Sequence, residues 1–174
     1  MNPPLQSGDC FPRAPFRTMR TGFRNERRDL MKATELLIED HKTVKDLIQE
    51  LKSAKDKGDL LVRLENEIQL HTQSEEQIFY PAMREYDNEL VEHSIEEHQQ
   101  VDQILTDLVG LTGKDKNFKK KLSELEKALD DHIEEEEGTL FPEAEENLGD
   151  QLDRLGEQIE NLKKDLSAGG RMAA

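Results

Sequence analysis

Four histidines carry the chemistry of this 174-residue chain, and each stands among apolar residues at helical spacing. His41 follows Leu37 by four residues and precedes Val44 and Ile48 by three and seven. His71 follows Leu64 and Ile68, His98 stands between Val91, Ile95 and Leu105, and His132 follows Leu125 and Leu129. At 3.6 residues per turn, all four imidazoles fall on apolar stripes that face a bundle axis. Glu75 and Glu136 come four residues after His71 and His132, on the same inward faces. A carboxylate in an apolar core is costly unless it is paired. Four imidazoles and two carboxylates converging there are satisfied by cations, and two ions bridged by the carboxylates would satisfy all six. A lone histidine on an apolar face is more often a hydrogen-bonded core residue than a ligand. Four of them, in repeated contexts and with glutamates at i+4, reverse that weighting.

The contexts are copies of one another. Ile38-Glu39-Asp40-His41-x-x-Val44 matches Ile95-Glu96-Glu97-His98-x-x-Val101 at a shift of 57 residues. His71-x-x-x-Glu75-Glu76-x-x-Phe79-Tyr80-Pro81 matches His132-x-x-x-Glu136-Glu137-x-x-Leu140-Phe141-Pro142 at a shift of 61. A helix pair has been duplicated with its histidines in place. His93 is the contrast: it lies five residues before His98, about 140° round the helix, on a face with Glu89, Glu96, Glu97 and Gln100. That face reads as solvated rather than metal-binding. Glu76 and Glu137 follow the inward glutamates by one residue and are expected to point away. Glu137 replaces Glu136 only if the helix is locally overwound, and the sequence leaves that choice open. Phe79, Tyr80 and Phe141 read as packing at the bundle end, with a redox role for Tyr80 as the minor reading. Pro81 and Pro142 are expected to end or kink their helices.

The elements that must position these groups follow from the same periodicity. It predicts helices over about 33–56, 59–85, 88–110 and 115–146, and a fifth amphipathic stretch over 150–166 before a Gly-Gly tail. Short connections make neighbours antiparallel, so the expected fold is all-α: an up-down-up-down antiparallel four-helix bundle with a C-terminal extra helix. Whether that fifth helix packs on the bundle or on another chain is not decided.

Composition agrees and excludes alternatives. Charged residues make up 36% and apolar residues 34%, with six Pro, ten Gly and no Trp, which suits helices rather than a sandwich or barrel. A formal charge of −15 argues against nucleic-acid binding and against adhesion to anionic membranes. Cys10 is the only cysteine and no apolar run is long enough to span a bilayer, so a reducing cytoplasm is the expected location. Residues 1–30 stand apart, with six Arg against three acids and four of the six Pro. They read as a disordered Arg/Pro-rich extension. Met31 opens a stretch that looks like a natural start, so translation is expected to begin there. The domain then spans 31–147, and 148–174 form the amphipathic helix and a flexible tail.

From Met31 to about Asn147 the chain resembles the hemerythrin-like HHE cation-binding family. The resemblance rests on the His41 and His98 segments, His71-x-x-x-Glu75 and His132-x-x-x-Glu136. It implies a non-haem di-iron centre, carboxylate-bridged, ligated by His41, His71, Glu75, His98, His132 and Glu136. Family members bind or sense O2, handle NO or peroxide, or assist iron-centre repair. Ferritin-like di-iron bundles require Glu-x-x-His pairs, and no histidine here has an acid three residues before it. Oxygen-carrying hemerythrins place His-x-x-x-His on the third helix, where this chain has Ser94. Four imidazoles in place of five leave about two coordination positions open, which disfavours a pure carrier and favours sensing, stress response or slow redox turnover. Mn or Zn also fit mixed imidazole and carboxylate ligands. The ligand expected is a small diatomic or peroxide, and the chain a monomer or weak homo-oligomer. An enzyme turning over peroxide or NO, and a metal-free helical interaction module, are the alternatives.

Overall fold

The computed structural model describes residues 31–111 and 115–170, so the expectations for residues 1–30 lie outside the described residues. The described residues are helical, with no strand among them. Helix α1 is Ala33–Ser53 and α2 is Gly58–Ser74; a π-turn over Glu75–Phe79 carries the chain directly into α3, Tyr80–Met83. The second copy repeats this plan: α4 is Asn88–Val109, α5 is Phe118–Glu135, and a π-turn over Glu136–Leu140 leads into α6, Phe141–Leu148. Helix α7, Gln151–Gly170, completes five helical rods. Its helix runs through the Gly-Gly pair, four residues beyond its expected end.

The starts are written in the sequence. The Asp87 carboxylate accepts from the Leu90 N–H at 2.9 Å and caps α4, satisfying one of the donors a helix leaves unpaired. At α1 the Glu35 carboxylate accepts from the Lys32 N–H at 3.0 Å. In the bundle α1 packs on α2, α2 on α4, α4 on α5, and α5 back on α1. Helix α7 lies across α1 and α2, which resolves the question its apolar stripe left open. It crosses so closely that a Cβ on Gly156 would stand 2.1 Å from the Met31 carbonyl oxygen. Only glycine permits that approach.

Two apolar layers fill the interior. One gathers Val44, Ile48, Leu51, Leu64, Val101, Leu105, Phe118 and Leu125; the other gathers Leu37, Phe79, Met83, Val91, Leu140, Phe141, Leu152 and Ile159. Burial of each such side chain contributes roughly 1.5–3 kcal/mol. Between the two layers lies a polar one, made of His41, His71, Ser74, Glu75, Ser94, His98, His132 and Glu136, all buried. The bundle is thus dry at both ends of a slab of titratable groups.

The π-turns explain how the helices pass through that slab. In each, an N–H bonds the carbonyl five residues back: Tyr80 to Glu75, and Phe141 to Glu136. The widened turn carries one extra residue, so of two consecutive glutamates the first reaches the centre and the second the outer nitrogen of a histidine at the rim. The prolines follow at once, as the second residues of α3 and α6. They neither end nor interrupt the rods, because the first turn after the π-turn can do without their missing N–H groups. This corrects the expected helix ends at Pro81 and Pro142, and it answers the choice left open between Glu136 and Glu137: the helix is underwound there, not overwound.

Candidate metal centre

All four stripe histidines and both i+4 glutamates meet in the polar layer. The imidazoles form two pairs, one from each copy: His41 and His71 have ring centroids 4.7 Å apart, as do His98 and His132. Each carboxylate spans the pairs. Glu75 Oε2 lies 3.0 Å from His71 Nε2 and 3.1 Å from His98 Nε2. Glu136 Oε2 lies 3.3 Å from both His41 Nε2 and His132 Nε2. Four Nε2 atoms and two carboxylates therefore face one centre.

The outer nitrogens of His41, His98 and His132 are hydrogen-bonded, and that of His71 faces a carboxylate at longer range. His41 Nδ1 meets Glu137 Oε1 at 2.8 Å, and His98 Nδ1 meets Glu76 Oε1 at 3.1 Å. His132 Nδ1 meets Glu97 Oε2 at 3.0 Å, and His71 Nδ1 lies 3.6 Å from Asp40 Oδ2. An ionised carboxylate only accepts, so in the neutral imidazole the proton sits on Nδ1 and the Nε2 lone pair is turned inward. That is the carboxylate–histidine–metal arrangement that fixes the tautomer and raises ligand basicity. Glu76 and Glu137 do not point away, as their place in the helix had suggested; the π-turns bring them to the rim. Glu136 takes the inner position with its side chain fully buried, whereas Glu137 is 40% exposed.

The donors do not satisfy one another. His41 Nε2, both nitrogens of His71, Glu75 Oε1 and Glu136 Oε2 are buried with no hydrogen-bond partner, although oppositely charged atoms stand close by. His41 Nε2, His71 Nε2 and Glu136 Oε2 face the shared centre, whereas His71 Nδ1 faces Asp40. An orphaned buried polar atom costs about 1–3 kcal/mol, so five in one layer demand a compensating group. Cations at the centre satisfy the inward ones, and the donor set of imidazole and carboxylate fits a borderline first-row metal. With protons alone in the site, burial pulls the His71 pKa down, but the charge of Glu75 and bonding to Asp40 outweigh it and push it up to about 10. Burial likewise opposes His98, which its bonds to Glu75 and Glu76 raise to about 9. Burial works to raise Glu75, and the His71 charge holds it well below the usual carboxylate range. The layer is built to hold positive charge.

Tyr80 is the residue the spacing missed. Its hydroxyl donates to Glu136 Oε1 at 2.8 Å and lies 3.3 Å from Glu75 Oε2 and 3.4 Å from His98 Nε2. Its ring stacks on His98 at 5.6 Å, as Phe141 stacks on His41 at 5.7 Å in the other copy. Burial, followed by the charges of Glu75 and Glu136, raises the phenol well above its usual pKa. The signal was present in the sequence as a mismatch, Tyr80 against Phe141, between otherwise matched segments. His93 stays outside the centre, as expected, with 54% of its side chain exposed.

Fold and site together define a helical bundle built around a buried cation centre, and the chain belongs to the hemerythrin HHE cation-binding domain family, whose model matches residues 32–144. It is 28% identical over 144 residues to an uncharacterized hemerythrin-like protein of Schizosaccharomyces pombe, a match covering 78% of this chain and 70% of that one. Among solved structures it is similar to a hemerythrin HHE cation-binding domain-containing protein from Mycobacterium kansasii, an Rv2633c homolog. The TM-score is 0.70 at 24% identity, over 78% of this chain and 86% of that one, a likeness of fold.

Proposed function

We propose that this chain is a non-haem di-iron protein that binds or senses O2, NO or peroxide, with His41, His71, Glu75, His98, His132 and Glu136 as the metal ligands. One observation carries the reading: two imidazole pairs bridged by two buried carboxylates, with His41 Nε2, His71 Nε2, Glu75 Oε1 and Glu136 Oε2 otherwise unpartnered. Two ions would be held by the inward donors of His41, His71, Glu75, His98, His132 and Glu136 together. Iron in such a site supplies reversible one-electron chemistry and positions for a small ligand. Manganese and zinc satisfy the same donors less distinctively.

The protein groups divide the remaining work. The four rim carboxylates hold the imidazoles in orientation, and Phe141 and Tyr80 fix two of the rings by stacking. The apolar layers exclude water from both ends. A groove of about 210 Å³ between α2 and α4, lined by Ile68, Thr72, Glu76 and Gln99, reaches His98 and offers a small molecule an approach. The Tyr80 hydroxyl stands on the His98 side of the centre, where it can donate a hydrogen bond. That hydroxyl favours a second reading, an enzyme turning over peroxide or NO, since a positioned donor assists proton transfer.

Metal content per chain after aerobic purification from iron-replete cells tests the proposal. Close to two iron per chain, with an optical change when the reduced form meets O2 or NO, is the expected result. Several product equivalents per iron would establish turnover. Little metal, or one zinc, overturns the di-iron reading and raises that of a helical interaction module.

A further inference from the structure

One other group of side chains is arranged as ligands. His93 on α4, Glu97 one turn later and Glu135 at the end of α5 each bring a donor atom within 4.8 Å of the others. His93 Nε2 lies 3.7 Å from Glu97 Oε1 and 3.5 Å from Glu135 Oε2. Both distances exceed an N–H···O bond. Donors sharing a first-row ion at bond lengths near 2.1 Å stand roughly 3 to 4 Å apart, depending on geometry.

A second observation is independent of the spacing. Glu135 Oε2 is buried and has no hydrogen-bond partner. The five other such side-chain atoms among the described residues all belong to the buried centre. The orphaned polar atoms of this protein thus mark two places, and the outer one is half open. It adjoins a surface basin of about 910 Å³ lined by Asp87, Glu89, Glu92 and Glu96, whose charges concentrate cations. The duplication does not account for the group, because the equivalent positions in the first copy are Leu36, Asp40 and Ser74.

We propose that His93, Glu97 and Glu135 form a third, surface-accessible site for a divalent first-row cation. One imidazole and two carboxylates, completed by water, suit Mn, Fe or Zn in the divalent state; the imidazole disfavours Mg and Ca. The site shares a residue with the buried layer, since the other oxygen of Glu97 receives His132 Nδ1. An ion on Glu97 is therefore one carboxylate away from a histidine of the buried centre. The proposal does not depend on which metal that centre holds.

Titration of the protein as purified with Mn(II), counting the free ion by its electron paramagnetic resonance signal, tests it. The wild type is expected to bind one more Mn(II) than His93→Ala at concentrations where only a discrete site fills. Glu135→Gln should weaken that uptake at least tenfold. Resident metal, measured by mass spectrometry, should be unchanged in both variants. His93 is mostly exposed, so its removal leaves the core intact. Equal Mn(II) uptake by wild type and His93→Ala overturns the proposal and assigns the binding to diffuse attraction by a chain of charge −15. Failure of the buried-centre reading would show separately, as missing resident metal in all three proteins.

Discussion

The two copies of the helix pair agree where they face the centre and differ where they face outward. His41 and His98, His71 and His132, and Glu75 and Glu136 occupy matched places, and matched rim acids hold His41 and His98. Outside, α7 lies chiefly over α1 and α2 of the first copy and meets the second at α6. Lys163 of α7 reaches Asp40 and forms an ion pair with it. Burial opposes ionisation of Asp40, and the nearby His71 imidazole together with the Lys163 charge holds its pKa below the usual value. Among the described residues no lysine pairs with the matched Glu97, which instead faces His93. Its bond to His132 is 3.0 Å, against 3.6 Å from Asp40 to His71. Duplication supplied a symmetric set of inner donors, and the outer neighbours made the halves unequal.

The largest effects should ignore that inequality. His71→Ala and His132→Ala should each release one or both metals, read as metal per chain after desalting. Retention in either variant would show that the inner donors are not equivalent. Next come Leu64→Ala and Leu125→Ala, matched residues that are both fully buried. Each should cost about 2–5 kcal/mol in urea unfolding, by lost burial and a residual cavity. A clear difference between them would show that α7 stiffens its half of the apolar layer. Glu76→Gln and Glu137→Gln should each lower metal affinity by about 10–100-fold, measured by chelator competition, because an oriented imidazole loses its carboxylate partner.

The smallest effect discriminates best. Asp40→Asn should weaken metal binding less than Glu97→Gln, because Asp40 is already shared with Lys163 and stands farther from its histidine. Equal losses would mean that the covering helix leaves the first copy's histidine as well oriented as the second's.

Much of this was legible in the sequence, and the part that was not has a physical cause. The stripes of Leu64, Ile68 and His71 and of Leu125, Leu129 and His132 fixed the rods and the direction of their imidazoles. Ideal helical geometry then turned Glu76 and Glu137 outward, because a regular helix advances about 100° per residue. The π-turns break that rule, and they are set by what the helix must carry through the core rather than by local propensity. The paired acids Glu75-Glu76 and Glu136-Glu137 were the available sign. Asp40 and Glu97 were also passed over, although each immediately precedes a stripe histidine in its copy. The partner of α7 was unreadable because its stripe of Leu152, Ile159 and Leu166 specifies an apolar surface without saying which one.

Gly156 gives that helix a consequence for solubility. At the crossing, backbone meets backbone, and a methyl group there would fall 2.1 Å from the Met31 oxygen. Gly156→Ala should lift α7 away and bare an apolar band that includes Leu37, Leu152 and Ile159, all buried now. The expected loss is about 1–3 kcal/mol, seen as a lower Tm. Concentration-dependent association by light scattering should accompany it, with metal content little changed. One added carbon is then expected to turn a covered helix face into an adhesive one.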